Sequence, residues 1–298
     1  MTQTPHPSPE ITAFASELLQ HADLTFRFCG WPHAVSRVWE VTSTQQRCFL
    51  KQHSQPRKFV SELNCYQEIL PALQRNCPEL GSCTPQLIGA SAPLATLVIA
   101  ACDGDVVATQ TLADGDELEC HRRAGAFCQA FHSLPHDDAD PLPLADALMQ
   151  RLNSWLEQGR DVIAPADRLW AAEQFDAASW AHSTARVFCH RDYQPRNWLV
   201  AGSGDALQWH CIDFEHTLPD CWLFDCIKLW DRSWRDKPDL RDAFFDGYGR
   251  ALTAQEDEAL LRLGILHAVS TLTWGHLHRD VEFERHGRSV FERLYRIL

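Results

Sequence analysis

The sequence has no long apolar run. Its longest candidate, LVIAAC at 97–102, is strand-sized and far short of the ~20 residues that a membrane helix needs. No membrane-spanning segment is expected. No secretory leader is expected either: the first basic residue is Arg27, and no apolar segment of the required kind precedes it. Basic charge is in deficit, with 27 Lys and Arg against 40 Asp and Glu and a net charge of −13, which argues against nucleic acid as a partner. No CxxC pair occurs among the twelve cysteines. Most lie inside apolar stretches such as RCFL, VFCH and WHCIDF, so they read as buried free thiols of a protein in a reducing cytoplasm. A zinc site from Cys221, Cys226 and a nearby histidine matches no standard spacing. Repeats and low-complexity tracts are absent.

What is present suits a globular chain of 298 residues, 45% hydrophobic and 22% charged, large enough for one big domain or two lobes. Charge is unevenly spread. Residues 101–150 hold ten acids against Arg122 and Arg123. An acidic cleft would draw in a cationic small molecule; a solvated helix face with loops would carry the same residues.

Residues 9–21 read as a helix. Short strand-like runs follow at 24–30, 36–43 and 47–53, with the alternation in RVWEV supporting a strand and STQQ fitting a hairpin loop. Val60, Leu63, Tyr66, Ile69, Leu70 and Leu73 recur at helical spacing, predicting one helix from about Pro56 to Arg75. Strands near 85–89 and 94–100 complete an antiparallel sheet. From ACDGD at 101–105 the pattern turns helical, is broken by short strands over 185–213, and is helical again from Leu223 onwards. The expected fold class is α+β: a small lobe of antiparallel sheet and helix over 1–101, joined to a larger, mainly helical lobe over 102–298. Ligand sites favour such lobe interfaces.

Four pieces of sequence carry chemistry. Lys51 ends the third strand, and Glu62 stands eleven residues later in the next helix; such a pair forms an ion pair that aims an ammonium at phosphate oxygens. The segment HRDYQPRN offers Asp192, a carboxylate able to accept or orient a hydroxyl proton, and Asn197, whose amide oxygen suits Mg²⁺. His190 reads as a structural residue holding the turn. In CIDFE, an apolar strand ends in Asp213. Asn197 and Asp213 are sixteen apart with SGD between two strand runs, a hairpin spacing that brings two metal ligands side by side.

At Lys51, Glu62, HRDYQPRN, IDFE and the following PDCWLFD, over about residues 24–295, the chain resembles the small-molecule phosphotransferases of protein-kinase-like fold. These are the aminoglycoside phosphotransferases, with choline kinases as cousins. The resemblance implies ATP or GTP and Mg²⁺ as cofactors, and a small-molecule acceptor. It implies Asp192 as catalytic base, Asn197 and Asp213 as metal ligands, and Lys51 as the phosphate-binding lysine steadied by Glu62. It also implies a hinge at Ile99, Ala100, Ala101 and Cys102 against the adenine, and Asp225 as anchor of the catalytic loop. One departure stands out: CGWPHAVSRV before Lys51 contains a single glycine, Gly30, with bulky Trp31 and stiff Pro32 after it, so clamping of phosphate by a glycine-rich loop is not expected in its usual form.

Rival readings remain. A protein kinase fits less well, because Phe-Glu rather than Phe-Gly follows Asp213, only eleven residues lead to the helix start near Leu223–Phe224, and no A-P-E follows. His190-x-Asp192 with His210 or His216 would make a facial triad for non-haem iron, but leaves Lys51, Glu62 and Asn197 unexplained. A catalytically inactive nucleotide-binding pseudokinase would lack one of the key residues, and none is missing. For the acceptor, Trp230, Trp234 and Trp274 are candidates for cation–π binding of a quaternary ammonium, as in choline, ethanolamine or thiamine kinases. Asp231 is a candidate for an amino group of an aminocyclitol.

Overall fold

The computed structural model describes residues 5–30, 36–136, 140, 142–175, 180 and 185–298. Trp31 and Pro32, and the acids Asp137 and Asp138, lie outside the described residues. The chain forms two compact units, Met1–Asp116 with Pro195–Thr217, and Glu117–Gln194 with Leu218–Leu298. Residues 195–217, which the sequence reading grouped with the larger lobe, thus pack with the N-terminal residues.

The first unit is built on a five-stranded antiparallel sheet of order β1-β2-β3-β5-β4, comprising β1 (Thr25–Phe28), β2 (Ser36–Thr42), β3 (Arg47–His53), β4 (Leu87–Ser91) and β5 (Thr96–Ala100). Side chains alternate between the faces of a strand, and β3 uses both. Cys48 and Leu50 join a cluster with Trp39, Val41, Val98 and Ile11, Ala15 and Leu19 of helix α1 (Pro9–Leu19). Lys51 and His53 also lie buried on β3; helix α2 (Pro56–Asn64) buries Phe59 and Glu62, and Glu62 reaches both of them.

The single helix expected over 56–75 is interrupted. Beyond α2 comes a π-helical turn, Cys65–Ile69, and then α3 (Leu70–Asn76). Pro71 supplies the reason: it has no N–H to give, and its ring clashes with the carbonyl four residues back. The turn widens instead, with Leu70 N bonding Cys65 O. A short helix α4 (Pro78–Gly81) precedes β4. The unit is completed by a three-stranded sheet, β6-β8-β9, of Asp105–Val106, Trp198–Ala201 and Gln208–Cys211. Here β8 and β9 form the expected hairpin, with Trp198 opposite Cys211. The intervening turn places Gly202 and Gly204 at positive φ, 71° and 55°, where glycine avoids the steric cost of a Cβ.

The second unit is mainly helical: α5 (Asp114–His132), α6 (Leu144–Gln158), α7 (Pro165–Gln174), α8 (Phe224–Lys228), α9 (Pro238–Tyr248), α10 (Ala254–His278) and α11 (Val281–Ile297). Its only sheet among the described residues pairs β7 (Val187–Cys189) with β10 (Leu218–Asp220). Helices α5 and α9 approach closely because glycine lets them. A Cβ on Gly125 would lie 1.9 Å from Phe244 O, and one on Gly247 1.8 Å from Arg122 O. No helix among the described residues is long and apolar enough to cross a membrane. All twelve cysteines are free thiols, most of them buried, and burial pushes the Cys48 and Cys102 thiols up to about 11.

Candidate active site

In the first unit Lys51 sits inside a cage of three carboxylates. Its Nζ lies 2.9 Å from Glu62 Oε2, 2.5 Å from Asp213 Oδ1 and 3.1 Å from Glu215 Oε2. Lys51 is 6% exposed and Glu62 fully buried. Burial alone would drive the ammonium to lose its proton, but Asp213, Glu62 and Glu215 outweigh it and hold Lys51 charged well above its ordinary range. The balance is the same for Glu62: burial opposes its charge, Lys51 and His53 favour it, and the carboxyl ends below its usual value.

The hairpin delivers the metal-ligand candidates. Asn197 closes a 3₁₀ turn (Pro195–Asn197) immediately before β8, and its carbonyl accepts from Ile212 N at 3.0 Å. Asp213, the next residue after Ile212, is thereby brought to the Asn197 end of the hairpin. Its φ of 69° is a left-handed conformation that aspartate tolerates better than most residues. With its side chain 35% exposed, Asp213 keeps carboxylate surface for an ion. An amide oxygen and a carboxylate are the hard donors that Mg²⁺ takes, so the residues present fit such an ion.

Five further side chains take part that the sequence does not single out: Glu215, Lys58, Ser36, His53 and Ser61. Glu215 Oε1 lies 2.5 Å from Lys58 Nζ, and its Oε2 accepts from Ser36 Oγ at 2.8 Å. His53 bridges Ser36 (3.2 Å) and Glu62 (2.9 Å). Lys58 and Glu62 are four apart on α2 and so share a face. That face is tied to the Asp213 segment by Lys58–Glu215 and by Ser61 Oγ donating to Thr217 O at 2.6 Å. Burial opposes ionisation of Glu215, but His216, Lys51 and Lys58 outweigh it and hold its carboxyl well below the usual range. The sequence held two signals: the i,i+4 spacing of Lys58 and Glu62, and the second acid of IDFE. At the other end of the sheet, the expected hinge residues Ile99, Ala100, Ala101 and Cys102 are partly exposed. Ala100 N bonds Gln86 O at 2.8 Å, and Cys102 O accepts from Arg47 at 3.0 Å.

The second unit holds the loop from His190 to Gln194. Asp225, in the first turn of α8, accepts from His190 N at 2.8 Å and from Arg191 N at 2.6 Å, and its Oδ2 lies 3.1 Å from His132 Nε2. Arg191 has φ 63°, a left-handed conformation that these two bonds help to fix. The His190 ring turns back on its own loop, its Nδ1 3.3 Å from Asp192 N. Asp192 Oδ1 accepts from Gln194 Nε2 at 2.5 Å and also contacts Lys228 Nζ.

The acceptor-binding candidates make internal contacts. Asp231 is fully buried. Its Oδ2 lies 3.1 Å from His267 Nε2 and 2.6 Å from His286 Nε2, and its Oδ1 lies 2.8 Å from Arg293. Trp234 is buried against Phe244 and Phe245. Trp230, partly exposed, carries the Arg293 guanidinium 4.7 Å from its ring centre, and Trp274, also partly exposed, stacks on His278 at 4.1 Å. Burial of Asp231 opposes its charge, yet His267 and His286 outweigh that and hold its carboxyl well below the usual range. Asp231→Ala is therefore expected to destabilise the protein by about 3–5 kcal/mol near neutral pH, because it strips a buried ion cluster of its anion. A carboxyl whose folded value is depressed stabilises above its unfolded value and loses that contribution as pH falls through the folded one. Denaturation curves of wild type and variant should thus lie far apart above about pH 4 and converge as acid protonates Asp231.

Several acids of 101–150 are already paired: Asp103 with Arg47, Glu117 with Lys237, Glu119 with Arg122 and Arg123, and Asp140 with Arg186. As for the iron alternative, His190 and Asp192 belong to the second unit, and His210 and His216 to the first. The three groups of described residues close enough to share an ion are Cys128/His132/Asp225, Asp231/His267/His286 and His53/Glu62/Glu215, and they contain none of the four.

Residues 32–262 match the phosphotransferase enzyme family, APH. The chain belongs to that family. It is a small-molecule kinase, and its fold is the kinase-like one of its structural neighbours. The GDP complex of aminoglycoside 2'-phosphotransferase-IIIa superposes with a TM-score of 0.68 at 14% identity, covering 96% of this chain and 98% of that one. Spectinomycin phosphotransferase with ADP and spectinomycin gives 0.63 at 14% identity, covering 98% of each chain. The Plasmodium vivax ethanolamine kinase gives 0.64 at 11% identity, covering 98% and 90%. No curated protein sequence matches significantly.

Proposed function

We propose that this enzyme moves the γ-phosphoryl of ATP or GTP to a hydroxyl of a small cationic acceptor of the aminoglycoside kind, in the cytoplasm. The observation that carries this reading is the charged, buried Lys51 fixed between Glu62 and Asp213. Lys51 orients the nucleotide phosphates. Asn197 and Asp213 hold Mg²⁺, which when bound neutralises charge on the phosphates. Asp192 accepts the hydrogen bond of the acceptor hydroxyl and aligns it for in-line attack, so that catalysis is mainly positioning and charge neutralisation. Of the groups assigned to the nucleotide, Lys51, Asn197 and Asp213 belong to the first unit, and the loop of Asp192 belongs to the second. Nucleotide complexes among the structural neighbours support the choice of donor.

Choline, ethanolamine or thiamine forms the alternative acceptor class, favoured by the partial exposure of Trp230 and Trp274. A panel of aminoglycosides, choline, ethanolamine, thiamine and amino-alcohols, assayed for acceptor-dependent ADP release, tests both. Release with at least one cationic acceptor is expected. Release with none of them would remove the acceptor class.

A further inference from the structure

We propose that Lys228 is a positioning residue of phosphoryl transfer, which clamps Asp192 through its ammonium and sets both the direction and the ionisation of that carboxylate. The proposal rests on Asp192 being the residue that orients the acceptor hydroxyl.

The geometry comes from one short helix and the turn after it. Asp225, Lys228 and Asp231 follow one another at intervals of three residues, along α8 and the π-helical turn Leu229–Ser233. At that spacing each is a helical neighbour of the next. Each end of this row is fixed by a different set of partners. Asp225 holds the catalytic loop by its backbone, through the amides of His190 and Arg191. Asp231 holds the helix from behind, through His267 on α10 and His286 and Arg293 on α11. Lys228 stands between them and reaches the Asp192 side chain. The backbone of the loop and its reactive group are thus held by one element, which the Asp231 cluster prevents from shifting.

The contact also has an electrostatic consequence. The Asp192 side chain is only 9% exposed. Removal from water favours a neutral carboxylic acid, whereas a cation in contact favours the carboxylate. A neutral acid cannot accept the hydroxyl proton. Lys228 and Gln194 meet Oδ1, and the His190 ring lies at the Asp192 backbone N–H; of these three groups, Lys228 brings the positive charge. Its side chain is 24% exposed, so its charge is less solvated than that of a surface lysine. Two donors on one oxygen also fix the rotation of the carboxylate, which decides where the acceptor hydroxyl sits.

The test uses the full chain as wild type, Lys228→Met and Lys228→Arg. Carboxyl ¹³C spectra of ¹³C-aspartate-labelled protein are followed between about pH 4.5 and 8, with Asp192→Asn assigning the signal. In Lys228→Met the Asp192 signal should titrate at least about one pH unit higher than in wild type, and Lys228→Arg should restore the wild-type curve. Turnover by Lys228→Met should fall by ~10²-fold, the scale of a misplaced catalytic group, with nucleotide affinity changed less than about twofold. Identical Asp192 titration in wild type and Lys228→Met would overturn the proposal, and so would undiminished turnover. A merely structural ion pair predicts a lower melting temperature without a change in the ratio of turnover to nucleotide binding, and that outcome also counts against it. The carboxyl titration reads the pairing whatever the reaction is, whereas full turnover by Asp192→Asn would remove the functional reading beneath it.

Discussion

Replacing Asp192 with asparagine is expected to lower turnover by ~10²–10⁴-fold, the usual worth of a positioned general base and equivalent to about 3–5 kcal/mol of barrier, while nucleotide affinity stays within a few-fold. The separation follows from how the residues are held. Asp192 is fixed by Lys228 and Gln194 in the helical unit, whereas the groups proposed to hold the nucleotide, Lys51, Asn197 and Asp213, belong to the other unit. Asparagine preserves size and the capacity to accept from Gln194, but it loses the charge that Lys228 pairs with and the basicity that the hydroxyl needs. A nucleotide titration beside a phosphoryl-transfer assay on the same variant checks this. Equal loss of binding and turnover would recast Asp192 as a structural residue, and a melting curve would then show a proportionate loss of stability.

Asp213→Ala should be at least as damaging, by a different route. It removes a proposed ligand of Mg²⁺, whose neutralisation of phosphate charge is worth several kcal/mol. A loss of about 10³-fold or more in turnover is expected, together with loss of the Mg²⁺-dependent part of nucleotide affinity. The fold should survive. Asp213 is the most exposed of the three carboxylates around Lys51, and Glu62 and Glu215 remain to hold the ammonium. Nucleotide titrations with and without Mg²⁺ distinguish the two roles of Asp213. A variant that binds nucleotide equally well in both conditions has lost the metal, whereas one with intact Mg²⁺ dependence would move the ligand role elsewhere.

Much of this site was legible because its parts are written in local patterns. Alternation in RVWEV and RCFLKQH marks strands, and a lysine late in one followed by a glutamate in a helix leaves few ways for the two to meet. Hairpin spacing between Asn197 and Asp213 did the same for the metal-ligand candidates. The interruption of the helix at 65–69 also had a local signal, Pro71, which the hydrophobic periodicity across it concealed. Other residues have no such signal. Glu215 is defined by Ser36, His53 and Lys58, all more than 150 residues earlier, and Lys228 by a loop 36 positions before it. Asp231 and Trp234 have the residue types of a cation-binding pocket, yet their contacts are with α10 and α11 for the one and with Phe244 and Phe245 for the other. A charged or aromatic residue in a helical pattern does not declare whether its partner is a ligand or the protein itself.

The most direct measurement of the central claim follows the label from [γ-³²P]ATP, or from the GTP equivalent, with the purified protein, Mg²⁺ and the acceptor panel. The predicted result is label on the hydroxyl of a small molecule, dependent on Mg²⁺ and lost in Asp192→Asn and Asp213→Ala. Label recovered only as unreacted nucleotide or as inorganic phosphate, for every acceptor and alike in wild type and both variants, would contradict the account.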